Sequence, residues 1–521
     1  MHLMEIKHLL LESFKYYLAR QKASKSPSSS LVLIFSAASP VSMLFRKLSL
    51  VPIPWRDHHA HKANNFSKTK ETQYYHTHAT FRYVLLIFLS SWFLTACFFF
   101  SSTYSRNDHL HFPNTATKEL LPITCPSNLS IFVYQLPPEF NLGLLRDCTH
   151  LNVYTNMCPH VANHGLGQPL SATGAWFATH QFLAEMIFHA RVENHPCRTW
   201  DPALANLFYV PFYGGLHASS KFREANHTAR DELAVRLVEY LQTQPWWQKH
   251  QGKDHFLALG RTAWDFMRTT NGGPDFGANC LLNLPPVKNM SVLTVERHPW
   301  QGLNQYGLPY PSYFHPSNVV QMRTWQRKMI RSERTHLFSF IGRPRKGVEK
   351  AAVRDELIRQ CNESTRCNLL ICGSGGGKCH EPFEVLKVLS QSHFCLQAPG
   401  DSFTRRSTFD SVLAGCIPVF FSPHTAYTQY GWYLPVNGSA YSVYIDLDGS
   451  EMEKGKGKKS IEEELSKISS DRVGRMRRKI IEMMPRITYA HPNSSDVGFA
   501  DAVDVALEAL LKNARSKLGL V

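Results

Sequence analysis

Apolar residues fall in two rhythms along most of this chain. Short runs at Ile131–Tyr134, Leu207–Val210, Phe256–Leu259 and Val292–Val295 are bounded by polar, Pro or Gly residues and read as buried strands. Between them, apolar positions recur at helical spacing, as in Trp176, Phe177, Leu183, Met186 and Ile187, which fall on one broad helical face. Such alternation predicts a mainly parallel sheet with helices on both sides. The rhythm returns in Leu337–Ile341, Leu369–Cys372, Phe394–Leu396 and Ile417–Phe420, which predicts a second sheet of the same kind. Ser460, with Glu463 three residues on, forms a capping-box pattern that starts a helix after the charged insert Gly449–Lys459. Phe499, Val503, Leu507 and Leu510 line one face of a last helix.

One apolar run differs from all of these. Tyr83–Phe100 is uncharged and long enough to cross a bilayer core as a helix. The 82 residues before it hold twelve Lys/Arg against four Asp/Glu, so positive-inside bias places the N-terminus in the cytoplasm and the bulk in the lumen. The run starts too far from Met1 for a cleaved signal peptide. Some 420 residues follow it, more than one compact core accommodates.

The net charge is +16, and half of that excess lies in the tail before the apolar run. No nucleic-acid motif accompanies the remainder, so binding of nucleotide phosphates and solvated surface charge are sufficient explanations. Six Asn-x-Ser/Thr sequons, at Asn128, Asn226, Asn289, Asn362, Asn437 and Asn493, and eleven of the twelve cysteines lie beyond the anchor. Both point to a luminal location for the bulk of the chain. Cys361, Cys367, Cys372 and Cys379 lack paired metal-ligand spacing, and an oxidising compartment favours disulfides, with at least one thiol left over.

The densest chemistry lies in Phe394–Phe420, FCLQAPGDSFTRRSTFDSVLAGCIPVF. It reads as strand, loop, helix, strand, with Ser402, Thr404, Arg405, Arg406, Ser407 and Thr408 at the helix N-terminus, and two turns of such a helix would present Asp410 toward a ribose. A helix N-terminus carries unpaired N–H groups and partial positive charge, so a pyrophosphate is favoured there. Arginine forks suit phosphate oxygens. Gly373–Lys378 imitates a phosphate loop but fails its spacing, and Asp446-Leu-Asp448 imitates a metal site while reading as a turn.

This block, with IFVYQLPPEFN at 131–141, DPALANLFYVPFYGG at 201–215, HFLALGRTAWDFMR at 255–268, HPWQGLNQYGLPYPSYFHPS at 298–317 and SFIGRPRKG at 339–347, resembles the exostosin-like glycosyltransferases, family 47, and within them the plant xyloglucan galactosyltransferase subgroup. The resemblance implies an α/β fold of GT-B architecture, two Rossmann-like domains facing a cleft, preceded by a single transmembrane helix. The spans expected are a cytoplasmic tail 1–82, a signal-anchor 83–100, a stem 101–124, an acceptor-side domain 125–330, a nucleotide-sugar domain 331–490 and a C-terminal helix 491–521. It implies a Golgi type II membrane enzyme that moves galactose from UDP-galactose to xylosyl side chains of xyloglucan with inversion. No metal or other cofactor is expected, the UDP-sugar being a co-substrate. Relatives imply UDP-galacturonic acid or UDP-arabinopyranose as alternative donors. An inactive Golgi scaffold for partner glycosyltransferases is the alternative of another class.

Glycosyl transfer needs a stabilised departing diphosphate, a base for the acceptor hydroxyl and exclusion of water. Arg345, in the turn after a strand, is the first candidate for the diphosphate, and Gly342 lets backbone approach it. Arg405 and Arg406 are the second. The broader family has Ser-x-Arg where this chain has Arg405-Arg406-Ser407, which leaves open which arginine meets phosphate. Asp265, after a strand in GRTAWD, is the candidate base, with a capping or ion-pairing role to Arg261 or Arg268 as its structural alternative; His217, Glu296 and His298 compete. Trp300, Tyr306, Tyr310, Tyr313 and Phe314 form either a sugar platform or a loop pinned by its own aromatics.

Overall fold

The computed structural model describes residues 129–171, 174–269, 277–373, 377–447 and 459–520, together with Ser90 and Cys125. The expected anchor 83–100, the stem, the tail and Asp448 lie outside that set, Ser90 apart, and among the described residues no helix is long and apolar enough to cross a membrane.

Two open sheets, every pairing parallel, organise the chain. The first contains β1 (Ile131–Val133), β2 (Arg198–Thr199), β3 (Leu207–Val210), β4 (His255–Ala258), β5 (Ser291–Thr294) and β6 (Gln305–Gly307), in the order β2-β1-β3-β4-β5-β6. The second contains β7 (His336–Gly342), β8 (Cys367–Ile371), β9 (Ser392–Gln397), β10 (Ile417–Phe420) and β11 (Val443–Tyr444), in the order β11-β10-β9-β7-β8. An α/β fold with two parallel sheets is therefore what these runs form. Central strands β3, β4, β5 and β10 are buried along their whole length, which is why each reads as an unbroken apolar run.

Pleating divides the first sheet between two cores. Phe208, Val210, Leu257 and Val292 pack with Leu233, Leu237 and Leu241, one face of a helix spanning His227–Gln242. Tyr209, Phe256, Ala258 and Leu293 point the other way, toward Phe188 and Val192 of α1 (Ala184–Glu193). The helical rhythm expected from Trp176 begins only at Ala184. Trp176 and Phe177 are extended, bridged to Phe314 and Pro169, because Trp176 packs 4.8 Å from the Phe314 ring.

The chain crosses between the sheets more than once. A helix over Val319–Arg331 packs on the second sheet's helices, where Trp325 Nε1 donates to Leu413 O at 2.8 Å and Gln326 to Ile481 O at 2.8 Å. The last helix, Ala502–Lys517, returns to the first lobe. Asp501 caps it by accepting from Val503 and Asp504 N–H, so Phe499 lies before the helix rather than in it. Asp501 also takes Arg191 Nε at 2.8 Å, and Asp504 takes His195 Nε2 at 2.9 Å. The helix after the charged insert starts at Ile461, with Ser460 as its cap.

Among the described residues five disulfides brace the fold: Cys125–Cys197, Cys148–Cys158, Cys361–Cys367, Cys372–Cys379 and Cys395–Cys416. Cys280 is buried and unpaired.

Candidate active site

Strands β7 and β9 are neighbours, so the loops leaving their C-terminal ends run side by side. Arg354, on a helix over Val353–Glu363, joins them: Nε donates to Pro399 O and Nη1 to Arg343 O, each at 2.9 Å. Arg345 Nε donates to Asp401 Oδ1 at 2.5 Å in a pair that is largely exposed. Arg405 lies across Gly400, where an added Cβ would sit 1.5 Å from Nη2, and it makes no hydrogen bond or ion pair among the described residues. Burial, and then the charges of Arg405, Arg343 and Arg345, pull the Arg354 guanidinium down to about 10. Crowded cations beside a helix N-terminus are electrostatics that favour an anion. Gly342 ends β7, and a Cβ there would meet the Phe340 ring at 2.9 Å.

The neighbouring arginine is differently employed. Arg406 opens α2, here Arg406–Leu413, donates Nη1 to Thr179 O at 2.7 Å, stacks 3.5 Å above the Tyr313 ring and lies 3.5 Å from Asp410 Oδ2. Asp410 is buried and accepts from Ser312 Oγ at 2.5 Å; burial raises its carboxyl and Arg406 opposes that. It therefore faces the segment joining the lobes rather than an open ribose position. Ser407 Oγ donates to Gln397 Oε1 at 2.6 Å, and Ser402 turns the loop by accepting Gly400 N–H on its carbonyl at 2.9 Å.

Opposite, the first lobe contributes the ends of β4 and β5. Asp265 Oδ2 accepts from Arg261 Nε at 2.8 Å and Thr262 Oγ1 at 3.1 Å, while Oδ1 makes no hydrogen bond among the described residues. Arg261 lies between the rings of Phe182 and Phe222, at 4.4 and 4.5 Å, and also donates to Ser219 Oγ at 2.9 Å. Glu296 is completely buried and saturated. It accepts from Trp264 Nε1 at 2.8 Å, Phe403 N–H at 3.3 Å, Thr404 N–H at 2.7 Å and Thr404 Oγ1 at 2.5 Å. A carboxylate of one lobe thus holds the loop that leads into α2 of the other. His298 uses Nδ1 to accept Trp300 and Gln301 N–H. Of the carboxylates considered for proton transfer here, Asp265 alone keeps an uncommitted oxygen.

The aromatic segment separates into two roles. Tyr310, Tyr313 and Phe314 are buried, and Tyr306 stacks on Trp432 at 4.3 Å. Trp300 is 63% exposed and edges Phe403 and His424, with Lys350 Nζ 5.0 Å above Phe403. Four of the five aromatics pin the loop, and one faces outward.

Residues 125–454 match the Exostosin GT47 domain. The chain belongs to the exostosin family, glycosyltransferase family 47. Among curated proteins, this family 47 chain is 56% identical over 478 residues to a probable xyloglucan galactosyltransferase of Arabidopsis thaliana, covering 91% of this chain and 99% of the relative. It is 44% identical over 387 residues to an Arabidopsis xyloglucan galactosyltransferase, covering 73% of this chain and 61% of that protein. An Arabidopsis xyloglucan-specific galacturonosyltransferase is 38% identical over 385 residues, 73% of this chain and 56% of the relative. A solved structure, pneumococcal O-GlcNAc transferase in complex with UDP and GlcNAc, aligns with TM-score 0.28 and 11% identity over 65% of this chain and 60% of that one, a likeness too slight to support an argument.

Two residues of this glycosyltransferase's site escape sequence reading. Arg354 sits in a highly charged helix, EKAAVRDELIRQ, where nothing local marks one arginine as a clasp between loops. Glu296 was visible only as a rival base. An apolar strand ending directly in a carboxylate, SVLTVE, is a signal for a buried charge with fixed partners.

Proposed function

We propose that this glycosyltransferase moves galactose from UDP-galactose to xylosyl side chains of xyloglucan with inversion, at the junction of two Rossmann-like lobes in GT-B arrangement. The observation that carries the donor reading is Arg405, a guanidinium without a partner among the described residues, laid across Gly400 at the head of α2 among Arg343, Arg345 and Arg354. A diphosphate there receives N–H groups, helix dipole and arginine forks together. Asp265 Oδ1 takes the proton of the acceptor hydroxyl, whose oxygen attacks the anomeric carbon as the bond to UDP breaks. Arg261 holds the carboxylate in place through Oδ2. Gly342, Arg345, Ser402 and Ser407 shape the donor side, with Arg406 and Asp410 as its support. No metal is required in this scheme, because fixed cations meet the departing charge.

Galactose and xyloglucan come from the relatives' names, and the galacturonosyltransferase relative supports UDP-galacturonic acid as a second donor reading. The apolar run Tyr83–Phe100, the five disulfides and exposed Asn226, Asn289, Asn362, Asn437 and Asn493 support a Golgi type II membrane protein with a luminal catalytic part. The test is transfer by the full-length chain from a panel of UDP-sugars to xyloglucan oligosaccharide, with and without EDTA. Galactosyl transfer that survives chelation is expected. Failure to release UDP from any donor of the panel would overturn the reading in favour of a scaffold among Golgi glycosyltransferases, and loss with EDTA would overturn the metal-free scheme.

A further inference from the structure

A pocket of about 450 Å³ opens in the first lobe away from the residues above. Its polar lining is Glu139, Arg146, His217, Lys221, Glu232 and Arg236. These come from the loop after β1, from the helix Gly214–Ser220 and the turn after it, which follow β3, and from the helix His227–Gln242. The pocket therefore shares with Asp265 the C-terminal end of the same parallel sheet, where ligand sites of such sheets gather.

Three groups in it are open to a ligand. His217 is 7% exposed, and its Nδ1 is buried with no hydrogen bond among the described residues. Burial, with Lys221 beside it, lowers the His217 ring to about 4, so at neutral pH it is an uncharged donor and acceptor. Arg146 and Lys221 have no ion-pair partner among the described residues. Arg236, in contrast, is paired with Glu139 at 2.5 Å and lies 3.8 Å from Glu232. A buried unpaired nitrogen is costly, and a ligand group that bonds to it removes that cost. Both signs of charge line the wall, which suits hydroxyls that donate to carboxylates and accept from cations, and suits a polyanion poorly.

The helix Gly214–Ser220 connects this pocket to the proposed reaction centre. His217 and Lys221 lie on one flank of the helical turn; Ser219, roughly opposite them, accepts from the Arg261 that holds Asp265. The two places are separated by about a helix width, ~10 Å.

We propose that this pocket is a second acceptor subsite, which holds the neutral glucan backbone of a polymeric acceptor at a distance from the sugar being galactosylated. The assignment rests on the acceptor reading above. It makes acceptor length, rather than the transfer step, the quantity the pocket controls.

The test compares Lys221→Ala, Arg146→Ala and His217→Gln with wild type, full-length, on polymeric xyloglucan and on the xylosyl-glucose disaccharide. The ratio of kcat/KM between polymer and disaccharide falls about tenfold, as for loss of one good hydrogen bond, through KM for the polymer, with kcat retained in Lys221→Ala and Arg146→Ala. Native electrophoresis through gels containing xyloglucan gives a readout free of the donor: wild type is retarded and the variants are retarded less. If wild type transfers galactose and the ratio is unchanged in all three variants, the subsite is overturned and the functional reading stands. If wild type transfers nothing yet is retarded by xyloglucan in a Lys221-dependent way, the subsite stands and the donor reading falls. Retardation by polygalacturonate in place of xyloglucan would overturn the neutral-glycan assignment.

Discussion

The two lobes are built alike and finished differently at the ends where their strands point. Both are open parallel sheets. At the end of the first, the acidic side chains already have donors: Asp265 has Arg261 and Thr262 on one oxygen, and Glu296 is saturated by Trp264, Phe403 and Thr404. At the end of the second, arginines outnumber their partners; Arg405 has none among the described residues, and Arg354 is pulled down by burial and then by the cations around it. Strand ends whose carboxylates already hold donors suit a neutral sugar, and strand ends left with surplus cations suit a diphosphate. The asymmetry of the reaction is thus carried by charge balance more than by fold.

The sharpest way to break this comparison is to separate two adjacent arginines. Arg406 forms a buried pair with Asp410, and truncating one partner of such a pair costs about 3–5 kcal/mol. Arg406→Ala should therefore lower thermal stability markedly. Arg405→Ala should leave stability near wild type, because no internal partner is lost, while kcat falls on the order of a hundredfold or more, as when a transition-state donor is removed. Thermal denaturation and steady-state kinetics on both variants check this. A stable, inactive Arg406→Ala beside an active Arg405→Ala would reverse the two roles.

That distinction was half legible in the sequence. The contiguous block Phe394–Phe420 shows strand, loop and helix, because fully buried parallel strands leave uninterrupted apolar runs and the arginines follow one directly. Whether Arg405 or Arg406 is free depends on Thr179, Tyr313 and Ser312, more than ninety positions away or supplied by the other lobe. Such contacts have no local pattern. Edge strands β2 and β6 are short and carry polar residues, so Arg198–Thr199 and Gln305–Gly307 do not stand out as strands. Trp176 and Phe177 matched a helical face by spacing alone, and pairing with Phe314 overrode it.

The first lobe can be tested for its own share of chemistry. Asp265→Asn keeps the shape and the Thr262 contact but removes the charge and basicity. Turnover should fall about a hundredfold, within the range for a general base, with UDP binding by calorimetry changed little, since the diphosphate is held by the other lobe. Unchanged turnover would remove Asp265 as base. Loss of UDP binding equal to loss of turnover would mean that the two lobes do not divide the work in this way.

The smallest effect probes the seam where the lobes meet. His315 is fully buried, within hydrogen-bonding distance of Thr179 Oγ1 at 2.9 Å and Tyr489 O at 3.0 Å, and burial holds its ring down to about 3; burial and nearby cations hold His180 to about the same value. Unfolding restores the ordinary histidine value of about 6.5. Between those values the unfolded chain binds protons that the folded one refuses, so stability is complete above about pH 6.5 and declines as pH falls toward 3. Each such ring contributes at most about 1.4 kcal/mol per pH unit within that window. His315→Gln removes one such ring from the count. Its melting temperature, measured from pH 7 to about pH 5, should therefore fall with a visibly shallower slope than wild type even if its value at pH 7 is lower. Parallel slopes would mean that His315 is protonated in the folded protein and that the seam tolerates charge, which would leave the contrast between a balanced lobe and a cationic one without a neutral boundary between them.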